Sequence, residues 1–348
     1  MTGMSAMGEM GRKQVDTNQI GEERICRDQS GKAKAVGRQS GKEKAGARKD
    51  GVLILDKPPG FTSFDVVQKL RRLTGEKKIG HTGTLDPMAT GVLPLLLGRA
   101  TKAAALLPET DKSYTAGFRL GEKTDTGDIT GQVIEQYSLL PDSRMLKDAA
   151  AAFTGEIRQL PPMYSAVSVN GQRLYKLARQ GITVERESRP VRIDTLTLLH
   201  YDEATGTGTL FVTCSKGTYI RTLIEDMAAY AGTVGVMTSL RRTEACGFTQ
   251  ADALSIQDAK ALAEEGRLWA AVRETACLFS AYPALTVTPA QARRFQNGGA
   301  LDRERLRAQG ILEKQPIRVY APDRLFLGLG QLEGDRLALL KLFAQAAL

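Results

Sequence analysis

A glycine-punctuated segment, HTGTLDPMATG at residues 81–91, holds the side chains that are best suited to chemistry. Its glycines allow turns with positive φ and a close approach of the backbone to a ligand. Asp86 precedes a proline, which restricts Asp86 to extended conformations and so directs its side chain reproducibly. Apolar neighbours indicate partial burial, and a buried carboxylate is costly without a cationic partner. On these grounds Asp86 is either a catalytic carboxylate or a loop cap, and His81 is either a site residue or a structural histidine.

The other reactive side chains exclude several kinds of site. The sequence has two histidines, His81 and His200, and four cysteines without CxxC spacing. These are too few ligands for a zinc cluster of usual composition, and we expect the cysteines to be reduced thiols. A Ser-His-Asp triad would lack the GxSxG elbow that usually presents its nucleophile. We therefore expect chemistry by carboxylate, tyrosine, arginine or lysine, without a metal.

Composition places the chain among ordinary globular proteins with a basic surface. The 348 residues are 42% hydrophobic and 25% charged, with a formal net charge of +9. This length predicts about two domains. The apolar runs are too short to span a bilayer, and no charged-then-apolar leader opens the chain. We therefore expect a cytoplasmic protein and exclude a transmembrane protein, a collagen and a disulfide scaffold.

Residues 1–48 differ in composition from the rest of the chain. They are rich in Gly, Lys, Arg and Gln and have almost no apolar periodicity. Such a segment buries too little apolar surface to offset its ordering entropy, so it is predicted to be a disordered basic tail. It is either a solvated extension or an arm that contacts RNA without specificity.

Elements that position the loop can be read on its N-terminal side. Residues 52–55 form a short apolar run typical of a buried strand, which ends at the turn cluster DKPPG. Thr62 or Ser63 can then cap a helix that Gly75 ends. The apolar face of this helix is predicted to comprise Phe64, Val67, Leu70 and Leu73.

Later segments mix strands and helices without regular alternation, which predicts an α+β fold. The predicted strands cover residues 114–120, 132–134, 191–199 and 209–214, and the helices cover 145–153 and 219–231. A basic excursion at 164–190 contains one short helix, 173–180, which Gly181 closes. From Pro283 onward, a helix over 289–295 and strands over 317–320, 325–329 and 337–343 predict a small β-rich module that packs on the main domain.

Several motifs, taken in order, closely resemble the bacterial tRNA pseudouridine-55 synthases, the TruB family. The resemblance covers roughly residues 50–250 and continues more weakly through the C-terminal module. The matching blocks are GVLILDKPPGFTSFDVVQKLRR, KIGHTGTLDPMATGVLPLLLGRATK, KSY leading into RLGEKTDTGDITG, QLPPMYSAVSVNGQRLYKLARQG, CSKGTYIRTLIEDM and SLRRTEACGF.

This resemblance implies a particular fold and domain order. A pseudouridine-synthase catalytic domain at 49–280 would have a central mixed, largely antiparallel sheet flanked by helices and loops. The excursion at 164–190 would be a mobile thumb that closes over the tRNA T-loop; without the family it reads as a solvated hairpin. Residues 283–348 would form a small β-rich, PUA-like RNA-binding domain.

The resemblance also implies a reaction. One uridine at position 55, in the TΨC loop of tRNA, would be flipped out and isomerised to pseudouridine. The glycosidic bond breaks, the uracil rotates and a C–C bond forms, without a redox step, metal or cofactor. The implied partner is the T-arm of tRNA, and we expect a monomer that needs no protein partner and no membrane.

Site residues are implied by the same motifs. Asp86 matches the catalytic aspartate, as a nucleophile or as a base on the ribose, and either role requires its ionised form. Arg221 matches the arginine that pairs with it and should lower its pKa. Tyr114 matches the tyrosine that stacks on the target base and helps to remove the C5 proton. Without the family, Tyr114 reads as a core aromatic and Arg221 as a surface charge.

Other positions match supporting roles. Tyr219 and Leu240 match residues that line the pocket, although both read as core residues on composition alone. His81 matches the histidine that occupies or supports the space left by the flipped nucleotide. Lys57, in DKPPG, is either structural or directed at a phosphate. Candidate phosphate contacts, which would position RNA without reading its sequence, are Lys102, Arg241 and Arg242. The excursion adds the basic side chains Arg173, Lys176, Arg179, Arg186 and Arg189, of which the first three are also predicted to bind RNA.

One departure and two alternatives remain at this stage. Many relatives carry an Ala-His-like pair before SLRR, whereas Gly235 and Val236 precede it here, which puts local packing or RNA fit in doubt. The alternative function is a non-catalytic RNA-binding or tRNA-folding protein on the same scaffold. An RNA-guided relative is disfavoured because such relatives lack the insertion at 164–190.

Overall fold

Residues 50–108, 110–169, 171–306 and 312–344 are described by the computed structural model. The predicted tail, residues 1–48, lies outside them. The strands are β1 (Gly51–Lys57), β2 (Ile79–His81), β3 (Thr90–Leu97), β4 (Lys112–Leu120), β5 (Glu122–Thr124), β6 (Val133–Gln136), β7 (Gly155–Gln159), β8 (Ser168–Val169), β9 (Gln172–Arg173), β10 (Arg189–Asp202), β11 (Thr207–Cys214), β12 (Gly235–Ala245), β13 (Phe248–Thr249), β14 (Ala284–Thr286), β15 (Leu301–Asp302), β16 (Pro316–Tyr320), β17 (Phe326–Glu333) and β18 (Arg336–Leu342). The α-helices are α1 (Ser63–Thr74), α2 (Ser143–Ala152), α3 (Leu174–Ala178), α4 (Ile220–Tyr230), α5 (Ile256–Glu264) and α6 (Pro289–Gln296).

The main sheet is mixed and largely antiparallel, as predicted. Its strand order is β1-β3-β12-β4-β11-β10-β7, with β2 beside β3 and β13 beside β12. Its neighbours pair antiparallel except β12 and β3, where Arg241 and Arg242 face Thr90 and Gly91 in a parallel pair. That parallel pair brings the end of the 81–91 loop against β12. A sheet of this kind with helices packed on it confirms the α+β fold class.

Helix α1 begins and ends where the sequence predicts. The Thr62 side chain accepts a hydrogen bond from the backbone N–H of Asp65, and Gly75 takes the left-handed conformation with φ of 71°. The predicted apolar face is wrong at one position, because Phe64 is 56% exposed whereas Val66 is fully buried. Phe64 instead lies under the Arg71 guanidinium, which is 5.8 Å from its ring centroid.

One face of the main sheet, covered by α2 and α4, carries the core that surrounds the site. Successive side chains of a strand point to opposite faces, so Tyr114, Ala116 and Phe118 of β4 share this face. Across β12, Arg242 lies opposite Tyr114 and Leu240 lies opposite Ala116. The core on this side also contains Leu85, Ala89, Leu146, Leu210, Val212, Leu223, Ile224 and Met227.

The C-terminal module contains the predicted strands, which belong to a second sheet, and the predicted helix, which is α6. Its order is β14-β16-β17-β18-β15, with β14 and β16 parallel. Phe326 and Phe343 pack with Phe279 in a buried cluster that also includes Val52 and Ile54 of β1. The module therefore shares apolar core with the main sheet, as its small size led us to expect.

The basic excursion folds as a short hairpin, β8 and β9, followed by α3. Leu174 and Leu177 of α3 are buried, and Gly181 follows at φ of 72°. The backbone N–H of Tyr175 donates to the carbonyl of Ser165 at 3.1 Å. The basic side chains project from a segment that is anchored by these few apolar residues.

Candidate active site

The backbone around Asp86 is held by the turn that follows β1 and by the start of α1. The Ser63 hydroxyl accepts a hydrogen bond from the Leu85 N–H at 2.8 Å. The Gly60 N–H donates to the Pro87 carbonyl at 2.9 Å. Asp86 therefore lies between two tethered neighbours, and its carboxylate points in a direction that the fold determines.

Lys57 provides a third tether for this loop. Its side chain is 0% exposed, and Nζ donates to the carbonyls of Phe61 at 2.6 Å, Pro58 at 3.0 Å and Pro87 at 3.1 Å. Burial lowers the pKa of Lys57 to about 8, and nearby Asp86 opposes that shift. The phosphate-directed alternative for Lys57 is wrong, because its ammonium is inaccessible to solvent and donates hydrogen bonds to three backbone carbonyls. Lys57 instead links the DKPPG turn to the loop that holds Asp86.

Arg221 lies in the first turn of α4 and reaches the Asp86 carboxylate. Its Nη2 atom is 3.0 Å from Oδ2 of Asp86, and the arginine side chain is only 6% exposed. The guanidinium also donates to the carbonyl of Thr126 at 2.8 Å and to that of Tyr164 at 2.9 Å. The structure thus brings the two predicted partners together and excludes a surface role for Arg221.

A second carboxylate, Asp128, shares this guanidinium and was missed by the sequence analysis. Asp128 is 6% exposed, and its Oδ2 lies 4.0 Å from Nε of Arg221. Its other oxygen accepts hydrogen bonds from the Thr130 N–H and the Thr126 hydroxyl, both at 3.0 Å. The signal in the sequence was a carboxylate with a threonine two residues away on each side, in a glycine-containing turn, a pattern that is equally typical of a simple loop cap.

The Arg221 charge lowers the pKa of Asp86, as predicted, but burial has the larger effect, so the net pKa is raised above its usual value. Loss of water around the carboxyl is the largest cause, the Arg221 charge acts against it, and the nearby negative charge of Asp128 adds to the rise. Arg221 is therefore needed to limit a rise that burial creates, and the two carboxylates compete for its charge.

Tyr114 lies on β4, between Val212 of β11 and Arg242 of β12. It is 7% exposed, and burial raises the pKa of its phenol to about 12, with the Arg242 charge acting in the opposite direction. At neutral pH the phenol is protonated. It can therefore donate a hydrogen bond, and it can accept a proton only if its own proton leaves.

The structure also describes three further predicted residues. His81 ends β2, and burial together with a nearby guanidinium lowers its pKa, which favours the neutral ring. Tyr219 precedes α4, and the Gln159 side chain holds its backbone N–H and carbonyl at 2.9 and 3.2 Å. Leu240 is 8% exposed and belongs to the same apolar cluster as Tyr114.

Two of the predicted phosphate contacts are already occupied within the protein. Arg242 is 0% exposed, and it donates to the carbonyls of Val92 at 2.7 Å and Gly83 at 3.2 Å. Direct phosphate contact by Arg242 is therefore wrong. Arg241 is partly exposed, but its Nη2 lies 2.6 Å from Oδ2 of Asp56. A charge compensated in this way attracts RNA less than a free one.

The remaining predicted RNA contacts are accessible. Lys102 follows β3, and Arg173, Lys176 and Arg179 lie on the excursion; all four are exposed. Arg179 lies over the Tyr175 ring at 5.6 Å. Contact of these side chains with RNA stays a prediction.

Within the ranges that the structure describes, no cluster of three or more His, Cys, Asp and Glu side chains could hold a metal ion. Among the same residues, no helix is long and apolar enough to cross a membrane.

Comparison with known proteins decides the family. Residues 71–220 match the family model described as TruB family pseudouridylate synthase (N terminal domain), and residues 283–339 match Pseudouridine synthase II TruB, C-terminal. A tRNA pseudouridine synthase B of Haemophilus influenzae (strain PittEE) is 40% identical, over 86% of this chain and 96% of its own length. The chain belongs to the TruB family of pseudouridylate synthases. Its C-terminal sheet is accordingly consistent with a PUA-like domain.

Other relatives agree with this placement, and solved structures agree with the fold. Proteins named tRNA pseudouridine synthase B from Burkholderia lata and Chromohalobacter salexigens are 43% and 45% identical, over 86% and 80% of this chain and 91% and 89% of their own lengths. A Cbf5-Nop10-Gar1 complex matches with a TM-score of 0.65 at 24% identity, over 85% of this chain and 86% of that chain. An H/ACA RNP bound to a substrate RNA containing 2'-deoxyuridine matches with a TM-score of 0.64 at 22% identity, over 84% and 85%. At these identities the two structures support the TruB-family fold alone.

Proposed function

We propose that this TruB-family enzyme isomerises a uridine of tRNA to pseudouridine, and that the target is position 55 in the TΨC loop. The observation that carries the proposal is the ion pair between Asp86 and Arg221, 3.0 Å apart beside a tethered loop. Relatives that are 40% to 45% identical over most of the chain are named tRNA pseudouridine synthase B, which supports the same substrate.

The reaction rearranges bonds without an external reactant. The bond from N1 of uracil to C1′ of ribose breaks, the base rotates, and C5 bonds to C1′. The hydrogen on C5 leaves as a proton, and N1 takes up a proton, so atoms and charges balance. We assign Asp86 to the ribose side of this reaction, where its carboxylate attacks C1′ or removes a ribose proton. Both roles require the ionised carboxylate, which the Arg221 charge favours.

The target base must leave its stack to reach the carboxylate. Extrusion costs a few kcal/mol, which contacts to the flipped nucleoside have to offset. The Tyr114 ring supplies a flat face for stacking, and its protonated hydroxyl supplies a hydrogen-bond donor. Leu240 and Tyr219 complete the wall in this proposal, with His81 supporting the RNA left behind.

The domain roles follow from the same substrate. We assign catalysis to residues 49–280, closure over the T-loop to the thumb-like segment at 164–190, and additional RNA binding to residues 283–348. The exposed basic side chains on the thumb-like segment suit a phosphate backbone. We propose a cytoplasmic monomer that acts without a guide RNA or an obligatory protein partner.

A tRNA transcript that carries tritium at C5 of uridine tests this function. Wild-type protein should release tritium, and chemical mapping should locate one pseudouridine at position 55. Asp86→Asn should release none while it still binds the transcript. Tight binding by the wild-type protein without tritium release would favour the alternative, a non-catalytic RNA-binding protein.

A further inference from the structure

Two cationic side chains meet on one side of Gly83 in the loop that holds Asp86. A methyl group built on Gly83 would lie 3.0 Å from Cε of Lys112 and 3.8 Å from its Nζ. The same methyl group would lie 3.6 Å from Nη1 of Arg242. The absence of a side chain at residue 83 therefore leaves room for both cations against the loop.

Neither cation has an acidic partner among the residues that the structure describes. No carboxylate of those residues forms an ion pair within 4.0 Å with Lys112 or Arg242, and Nζ of Lys112 donates to the Thr110 carbonyl at 2.9 Å. Nη1 of Arg242 is buried without a hydrogen-bond partner, as is the hydroxyl of Thr82 in the same loop. Buried polar atoms usually have partners, and two neighbouring cations repel each other. This cluster therefore has unused donors and, among the described residues, no carboxylate within 4.0 Å of either cation.

The cluster lies on the face of the sheet that carries the active site. Lys112 and Tyr114 are two residues apart on β4, so their side chains point to the same face. Arg242 faces Tyr114 across β12. Lys112 is partly exposed whereas Arg242 is fully buried. An incoming ligand would therefore contact Lys112 directly and would interact with the buried Arg242 charge at longer range.

We propose that Lys112, backed by the buried charge of Arg242, binds one phosphate of the RNA strand that carries the target uridine. The proposal rests on the proposed function, because that substrate brings a phosphodiester on each side of the extruded nucleoside. The Lys112 ammonium can bind a phosphate oxygen as a point charge, and the low dielectric constant of the buried surroundings strengthens the attraction. Burial and the Arg242 charge lower the pKa of free Lys112, and a bound anion would favour its charged form. Lys112 acts here in binding and positioning rather than in the chemical step.

Single neutral linkages in the RNA test this subsite. We would measure binding of T-arm RNAs, each with one methylphosphonate near the target uridine, to full-length Asp86→Asn protein, which binds without turnover. One position should weaken binding by about five- to tenfold. In the Asp86→Asn, Lys112→Met protein, that same position should become insensitive. The salt dependence of log Kd should fall by about 0.7 to 0.9 for one lost phosphate contact.

Two further variants separate this effect from a general loss of charge or structure. Lys112→Arg should keep the sensitive position. Lys260→Met removes an exposed charge on α5 and should leave the methylphosphonate profile unchanged. Lys112→Gln replaces Lys112→Met if thermal unfolding shows that the latter does not fold.

The outcomes also separate this subsite from the proposed function. An unchanged methylphosphonate profile in Lys112→Met, or no sensitive position at all, would overturn the subsite. Tritium release by the wild-type protein on unmodified tRNA is measured in parallel. If release is normal and the profile is unchanged, the function stands and the subsite fails. If release is absent, the function fails, whereas the profile still reports whether Lys112 contacts a phosphate.

Discussion

Nη2 of Arg221 lies 3.0 Å from Oδ2 of Asp86, and the same nitrogen donates to the Tyr164 carbonyl at 2.9 Å. One guanidinium nitrogen therefore joins the Asp86 carboxylate to the first residue of the thumb-like segment at 164–190. A displacement of that segment would change the hydrogen bonds of the arginine that limits the pKa of Asp86. The position of that segment and the charge state of the Asp86 carboxylate are thus physically linked.

Replacing Asp86 tests the central assignment. Asp86→Asn keeps the side-chain shape but removes the negative charge, so tritium release from C5-labelled tRNA should be abolished. Affinity for tRNA should stay within about tenfold, because phosphate contacts elsewhere supply most of the binding. Single-turnover release and filter binding on the same preparation measure both quantities. Retained turnover would refute a nucleophile or base at this position.

Loss of Arg221 should change the pH dependence of the chemical step. The reaction needs ionised Asp86, so activity falls as pH decreases through the Asp86 pKa, which burial raises. Arg221→Gln removes the charge that opposes this rise. The acidic limb of the single-turnover rate should therefore move to higher pH, and the rate at neutral pH should fall about 10²-fold.

A matched variant controls for the loss of an arginine as such. Arg241→Gln removes a guanidinium that pairs with Asp56, and it should leave the acidic limb where it is when RNA is saturating. An unmoved limb in Arg221→Gln would contradict the electrostatic role of Arg221.

Tyr114→Phe separates stacking from proton transfer. The ring remains, so tRNA affinity should be unchanged, whereas loss of the hydroxyl should slow the chemical step by about 10²-fold. Because the phenol pKa is about 12, the wild-type rate should show no titration of Tyr114 near neutral pH. An equal single-turnover rate in both proteins would exclude a role for the hydroxyl in chemistry.

Lys57→Met tests whether a buried ammonium supports the loop. The substitution leaves three carbonyls without their donor, so the free energy of unfolding should fall by about 1–3 kcal/mol in urea titrations. The rate should fall as well, because the Pro87 carbonyl loses a tether next to Asp86. Lys77→Met, at an exposed position, should change neither quantity. Wild-type stability in Lys57→Met would show that these hydrogen bonds contribute little.

Removal of residues 1–48 should leave catalysis nearly intact. This segment lacks the apolar periodicity of a folded element and carries basic residues. The truncated protein should have the wild-type single-turnover rate and at most a weaker, salt-sensitive affinity for tRNA. A truncated protein that fails to fold would assign the segment a structural role.

Local patterns of the chain were sufficient for much of the fold. The structure contains the strand predicted at 52–55, the cap at Thr62, the left-handed glycine at residue 75 and the helix predicted at 219–231, which is α4. Each depends on interactions within a few residues, which a sequence displays directly. Phe64 was misplaced because helical periodicity gives the direction of an apolar face only approximately, and the neighbouring elements decide which side chains it buries.

The motifs by themselves determined the family, the α+β class and the identity of the loop that holds Asp86. The tertiary structure decided how the charges in and around that loop are partnered. It placed Asp128 beside Arg221, enclosed Lys57 and Arg242, and set the direction of the Asp86 pKa shift. The reason is that burial and electrostatic interaction depend on distances between residues that are far apart in the chain. In a medium of low dielectric constant, those distances determine the sign and the size of each pKa shift.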